Sequence, residues 1–364
     1  MAFLSVRCYH YRNLADGEVG LDAPQVFFVG ENGQGKTNIL EAIYYLCFGS
    51  SFRTRSDGLI VRRGETSMSI HAAYRQNDLA SPGEGLLNLM VKVEREKKEF
   101  RVNEKVVGDR KELISNIPCL VFSHDDFLLV TGGPEYRRWF LNQTMSLCDP
   151  LFVDLLRRFN RLVRMRNSAL KERRSDVIEA LDIALAEAGL EIQGLRVQAL
   201  GAFNETFRES FQRISGASGN LSLHYLPSWG EGATKESVLR LLEARARIDL
   251  DLGVTTSGPH RDRFHFMLGG ENFAKVASTG QLRLISLILR VAQARFLQRR
   301  IRRKPVLLLD DVLLELDPIR RRRFLEALPE SEQAFFTFLP DEQYRNWQTD
   351  DTRIYHVTDG VIMA

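Results

Sequence analysis

Residues 30–37 read Gly30-Glu31-Asn32-Gly33-Gln34-Gly35-Lys36-Thr37. A glycine, four residues and then Gly-Lys-Thr is the spacing of a phosphate-cradling P-loop. Val26-Phe27-Phe28-Val29 before it is the short apolar, β-prone run of a buried parallel strand. Leu40, Ile43 and Cys47 after it recur at helical spacing, which predicts a helix starting near Lys36. Strand, tight loop and helix together form an anion trap. Gly30, Gly33 and Gly35 let successive N–H groups turn inward, and the helix start adds unpaired donors and partial positive charge. On this reading Glu31, Asn32, Gln34 and Asn38 flank the phosphates, Lys36 reaches the β- and γ-phosphates of ATP, and Thr37 holds Mg2+.

A second acidic motif lies far down the chain. Pro305-Val306-Leu307-Leu308-Leu309-Asp310-Asp311 is an apolar strand ending in two carboxylates. In P-loop ATPases the first acid, here Asp310, serves Mg2+, and the second, Asp311, orients or deprotonates the attacking water. Shortly before it, Ser278-Thr279-Gly280-Gln281 opens a helix marked by Leu284, Leu287, Ile288 and Val291. Ser278 is a fitting N-cap and Gly280 leaves that helix start open, a second potential phosphate-binding terminus.

Between these motifs the pattern changes twice. Leu4, Val6 and Cys8 alternate with polar residues, as do Met68 to Tyr74, Leu87 to Val93, and Phe100 with Val102, predicting an antiparallel sheet. Asn77 to Gly85 reads as an exposed loop, and Pro118 to Phe122 as another buried strand. The turn Ser123-His124-Asp125-Asp126 suits either a ligand-facing strand end or a helix N-cap. From Pro134 the chain turns helical. Arg157, Arg158, Arg161, Arg164 and Arg166 crowd one helix, and Leu181, Leu185, Ala188, Ile192, Leu195, Ala199 and Ala202 keep a coiled-coil-like spacing. Exposed arginines there suit either a solvated face or DNA phosphates, with Arg157, Arg161 and Arg164 as candidate contacts. His260, in the turn-rich run Thr255 to Asp262, reads as a structural residue rather than a catalyst.

With 364 residues, the chain is long for one compact domain. Residues 1–133 and 255–364 are expected to form the two parts of an ATPase head, with 134–254 as an inserted helical arm. A net charge of only +3 leaves any polyanion affinity to local patches. Four scattered cysteines, Cys8, Cys47, Cys119 and Cys148, without a Cys-x-x-Cys pair, predict buried free thiols in a reducing compartment. No leader or spanning run is visible, so a cytoplasmic protein is expected.

The order of P-loop, long insertion, signature-like helix and acidic strand resembles ABC-type ATPases, including their SMC-like DNA-repair branch. That implies an α/β ABC-type head with an antiparallel β subdomain and an inserted helical arm. It also implies Ser278, Gly280 and Gln281 contacting the γ-phosphate on a partner's P-loop, with ATP gluing a head-to-head homodimer. The resemblance narrows further to the RecF family. It is carried by residues 30–43, Arg137-Arg138-Trp139-Phe140-Leu141, Arg166-Asn167-Ser168-Ala169-Leu170-Lys171, Gly258-Pro259-His260-Arg261-Asp262 and Leu308-Leu309-Asp310-Asp311, across nearly the whole chain. Departures from that pattern fall at Phe52, His124, Arg263 and Leu314. The family implies a DNA-binding recombination mediator that recognises gapped DNA at single-strand–duplex junctions. It would act with RecO and RecR to load RecA and would serve replication, repair and the SOS response, with slow DNA-stimulated ATP turnover. Two other classes share the motifs. One is a transporter ATPase subunit, which usually carries His where this chain has Thr337. The other is an ATP-gated scaffold that does not hydrolyse.

Overall fold

The structure is a computed structural model that describes residues 2–77, 84–95 and 97–364. Most of the loop expected between Asn77 and Gly85 lies outside the described residues. Two compact units result: residues 1–124, 302–317 and 329–364 form one, and 125–301 with 318–328 form the other.

The first unit holds two sheets. In the first, β1 (Ala2–Tyr9), β2 (Gly17–Gly20), β4 (Ser67–Asn77), β5 (Glu84–Glu94), β6 (Lys97–Val102) and β7 (Lys105–Val106) pair antiparallel in the order β2-β1-β4-β5-β6-β7. Its buried face is the predicted alternation: Ile70 lies opposite Val91, and Val91 opposite Phe100. The second sheet runs β15-β14-β3-β13-β12-β8. Here β3 (Gln25–Val29), β8 (Cys119–Phe122), β12 (Val306–Leu309), β13 (Gln333–Phe338) and β14 (Thr352–Thr358) are parallel, and β15 (Val361–Met363) turns back against β14. Parallel strands covered on both faces have no polar side to show, which is why β8, β12 and β13 are buried along their whole length. Helices α1 (Lys36–Phe48) and α2 (Arg110–Asn116) complete this unit. The fully buried Gln333 side chain ties the two sheets. It accepts from the Phe3 amide at 2.9 Å and donates to the Leu21 and Ala23 carbonyls.

The second unit is helical: α3 (Phe127–Thr131), α4 (Pro134–Cys148), α5 (Pro150–Lys171), α6 (Ser175–Ser215), α7 (Lys235–Leu252), α8 (Phe273–Val276), α9 (Thr279–Ile301) and α10 (Pro318–Ala327). A small antiparallel sheet of β9 (Ser222–Leu226), β10 (Arg263–Leu268) and β11 (Glu271–Asn272) joins them. At 41 residues, α6 runs about 60 Å. The 3.5-residue seam holds through Leu181, Leu185, Ala188 and Ile192, then fails: Leu195, Ala199 and Ala202 are only half-buried. The core line passes instead to Arg196, Leu200, Phe203 and Phe207, the drift a straight 3.6-residue helix shows against a heptad. Residues 255–301 group with the helices.

Three buried arginines, in four ion pairs, pin this unit. Arg166 meets Asp182 at 2.5 Å and Asp249 at 2.6 Å, Arg196 meets Asp262 at 2.6 Å, and Arg290 meets Asp126 at 2.6 Å. Removing one member strands a charge without water, typically a loss of about 3–5 kcal/mol. Arg166 and Asp262 sit in the segments that carry the family resemblance, and both are spent on packing. Asp126 stands at the N-cap position of α3 without a side-chain cap bond, and its carboxylate meets Arg290. Cys8, Cys47 and Cys119 are buried free thiols, while Cys148 is half-buried. Among the described residues no helix is long and apolar enough to cross a membrane.

Candidate nucleotide site

The parallel strands bring their carboxyl ends together. Gly30 continues β3, its amide donating to Phe338 O at 3.1 Å, and the Asp310 amide donates to Phe122 O at 2.9 Å. The loop from Gly30 then turns into α1, whose N-cap Gly35 has φ 117°, a value that side-chain-bearing residues rarely take. Gly33 is also left-handed at φ 79°, but Gly30 is not. Gly30 is required for a different reason than expected: a Cβ there would lie 2.3 Å from the Val357 carbonyl oxygen on β14.

Lys36 is almost wholly buried, and its ammonium donates to the loop's own carbonyls, Gly30 O at 2.7 Å and Glu31 O at 3.2 Å. No carboxylate pairs with it in these bonds, so its charge is held over the loop where phosphate oxygens would take over. The first turn of α1 contains no acid to oppose an anion. Asn38 donates to Asn13 Oδ1 at 2.6 Å and accepts from Arg53 at 2.8 Å, and Asn13 donates to Gly33 O.

Thr37 and the acidic strand meet at one spot. Thr37 Oγ1 donates to Asp310 Oδ1 at 2.8 Å. Burial pushes the Asp310 carboxyl up to about 6, against the Thr37 hydrogen bond and with the help of the Asp311 charge. A carboxylate made costly in this way gains from a divalent cation. One acid and one hydroxyl on one spot suit Mg2+, which keeps waters and takes substrate phosphates for its other positions. Among the described residues no cluster of three or more His, Cys, Asp or Glu could hold a metal alone.

Asp311 adopts φ 51°, ψ 19° and is held there by Thr337. Its amide donates to Thr337 Oγ1 at 2.7 Å, and that hydroxyl donates to Asp311 Oδ1 at 2.8 Å, with Asp310 Oδ1 at 3.3 Å. From sequence Thr337 was legible only as the absence of a histidine. A buried pair also escaped sequence reading: Arg12 grips the fully buried Glu41 of α1 with two bonds, 2.9 and 2.8 Å, and Ser51 donates to the same carboxylate. So did the hairpin tip at Asp359-Gly360, where the Asp359 amide donates to Gln34 Oε1 and the Gly360 amide to Gln34 O at 2.9 Å.

In the helical unit the signature-like turn forms as expected. The Ser278 amide donates to Gln281 Oε1 at 2.8 Å, the Gln281 amide reaches Ser278 Oγ at 3.4 Å, and a Cβ on Gly280 would touch nothing within 4 Å. Ser278, Gly280 and Gln281 are all exposed. Arg157, Arg161 and Arg164 are exposed on α5, Arg157 within 3.6 Å of Asp154. His260 is structural: its Nε2 bonds Thr255 O at 3.0 Å, so it is the protonated nitrogen, and burial lowers the ring's pKa.

A family model described as the RecF/RecN/SMC N terminal domain matches residues 4–363. The DNA replication and repair protein RecF of Treponema pallidum is 40% identical over 353 residues, covering 96% of this chain and 98% of its own. RecF of Halothermothrix orenii is 29% identical, covering 97% and 96%. A solved structure of the recombination mediator protein RecF with ATP, in the RecFOR pathway, superposes with a TM-score of 0.88 at 26% identity, covering 99% of this chain and 96% of that one. An SMC head bound to a domain of ScpA, at 14% identity and TM-score 0.58, shares the fold.

Proposed function

The chain belongs to the RecF family of DNA replication and repair proteins, and from that premise we propose that it is an ATP-switched recombination mediator. ATP binds at residues 30–38, closes a homodimer, and the dimer holds gapped DNA while RecO and RecR help load RecA. The observation that carries the reading is the joining of Thr37 to Asp310 at 2.8 Å, with Asp311 fixed beside it by Thr337. Thr37 and Asp310 would hold Mg2+, which would supply neutralisation of the developing phosphate charge. Lys36 leaves the Gly30 and Glu31 carbonyls for phosphate oxygens. Asp311 orients the attacking water and takes its proton. Ser278 and Gly280, exposed at the start of α9, reach the γ-phosphate on the partner's P-loop. Slow ATP turnover that rises with DNA completes the proposal.

The test is binding of a gapped duplex by the purified protein with ATP, with ADP and with no nucleotide, beside sedimentation. ATP with Mg2+ should give dimer and tight DNA binding together. Equal binding in all three conditions would overturn the switch.

A further inference from the structure

The helical unit concentrates positive charge at a place that neither the P-loop nor the α5 arginines account for. One line of α6, from Thr206 through Glu209 and Arg213 to the helix end at Gly216, receives arginines from two other helices. Arg299 of α9 donates to Thr206 Oγ1 at 3.0 Å and to Glu209 at 2.7 Å. Arg213 crosses to the Glu326 carbonyl of α10. Arg323 of α10 lies against Gly216, where a Cβ would come within 2.3 Å of its Nη1. Arg295, one turn before Arg299, is half-buried, and burial with the charges of Arg299 and Arg213 lowers its pKa. Arg320 and Arg322 of α10 are exposed. Arginines outnumber acids here: Glu209 is committed to Arg299, and the exposed Glu326 stands one turn beyond Arg322 and Arg323 on α10.

We propose that this α6–α9–α10 face binds the phosphate backbone of duplex DNA, as a contact surface separate from the α5 arginines. Like charges are costly to hold together, and a polyanion relieves that cost by releasing its counterions. Several of the guanidiniums are anchored by hydrogen bonds, so less side-chain freedom is lost when phosphates arrive. A protein partner needs aromatic or apolar anchors at the centre of its interface. Here Phe296 is covered by Arg300 at 5.5 Å and Phe324 is fully buried, although Ile319 at the start of α10 is exposed. Helix α9 begins at the Ser278 turn and ends among these arginines.

This inference rests on the DNA-binding reading above, and one experiment separates the two. Arg213→Gln, Arg322→Gln and Arg323→Gln are combined in the full chain, all away from the nucleotide residues. Duplex affinity is measured against salt with ATP and Mg2+, beside ATP binding and thermal melting. Melting and ATP affinity should match the parent. The slope of log affinity against log salt should fall by about 0.9 for each lost phosphate contact, with duplex affinity down about ten- to a hundredfold near physiological salt. Unchanged slope and affinity would overturn the inference alone. An unchanged slope with lost retention of a polyglutamate peptide would place an acidic protein segment there instead. A parent that binds no duplex overturns both readings.

Discussion

Thr337 and Asp311 hold each other twice: the Asp311 amide donates to Thr337 Oγ1 at 2.7 Å, and the same hydroxyl donates back to Asp311 Oδ1 at 2.8 Å. One side chain thus fixes both the left-handed backbone of Asp311 and the direction of its carboxylate. Thr337→Val keeps the shape and removes both bonds. ATP turnover should fall about 10²- to 10⁴-fold, the span of a misplaced general base. ATP affinity should stay near the parent's, because Lys36 and the loop are untouched. Thr337→Ser should restore turnover. Equal turnover in the valine variant would remove Thr337 from the mechanism.

Gly360 is the place where the β14–β15 hairpin leans on the P-loop. Its φ is 78°, and a Cβ would lie 1.9 Å from the Asn13 carbonyl oxygen. Gly360→Ala must push the hairpin away and with it the bonds to Gln34. ATP affinity should drop at least tenfold, with a melting temperature lower by a few degrees, corresponding to about 1–3 kcal/mol. A variant melting like the parent and binding ATP as tightly would show that the hairpin does not shape the loop.

These two cases mark what the sequence could and could not show. The P-loop, the acidic strand and the signature-like turn were legible because each packs its chemistry into one short run. Thr37 and Asp310 were paired in advance only because their motif types imply a shared metal. Arg12 with Glu41, Gln34 with the hairpin tip, and Asp126 with Arg290 join residues far apart in the chain. Nothing local in the sequence signals such a partnership. Arg166 shows the converse error, since its place in an arginine-rich helix suggested a solvated charge, yet it is fully buried between Asp182 and Asp249. The α6 seam misled for a geometric reason: a straight helix drifts about 20° per heptad from a 3.5-residue repeat, and past Ile192 the buried line has moved on by one residue.

Ser278 is exposed at the start of α9, with an open Gly280 beside it. Ser278→Arg should therefore fold normally and bind ATP as a dilute monomer. It should fail to dimerise, because a bulky cation occupies the place of the partner's γ-phosphate contact. Sedimentation with ATP and Mg2+ reads this directly. Weakened ATP affinity in the monomer would instead indicate a folding defect, and the role in the partner's site would be withdrawn.

Asp310 sets stability against function. Its carboxyl titrates near 6 in the folded chain, above the ordinary value of 3.8, chiefly because of burial. Between these values the folded state holds more protons than the unfolded one, so stability falls as pH rises through the window. The cost is complete above about pH 6 and amounts to at most about 3 kcal/mol, less to the extent that water reaches the carboxylate. Asp310→Asn carries no charge at any pH and can keep the Thr37 bond. In the absence of nucleotide and Mg2+ it should melt higher than the parent at pH 7, match it near pH 4, and show a flatter melting profile between. Dimerisation with ATP and Mg2+ should be lost, since the residue that supports the cation is gone. If the variant melts lower than the parent at pH 7, the Asp310 charge stabilises the empty site and the proposed strain is absent. If it melts higher and still dimerises with ATP and Mg2+, the cation is held elsewhere.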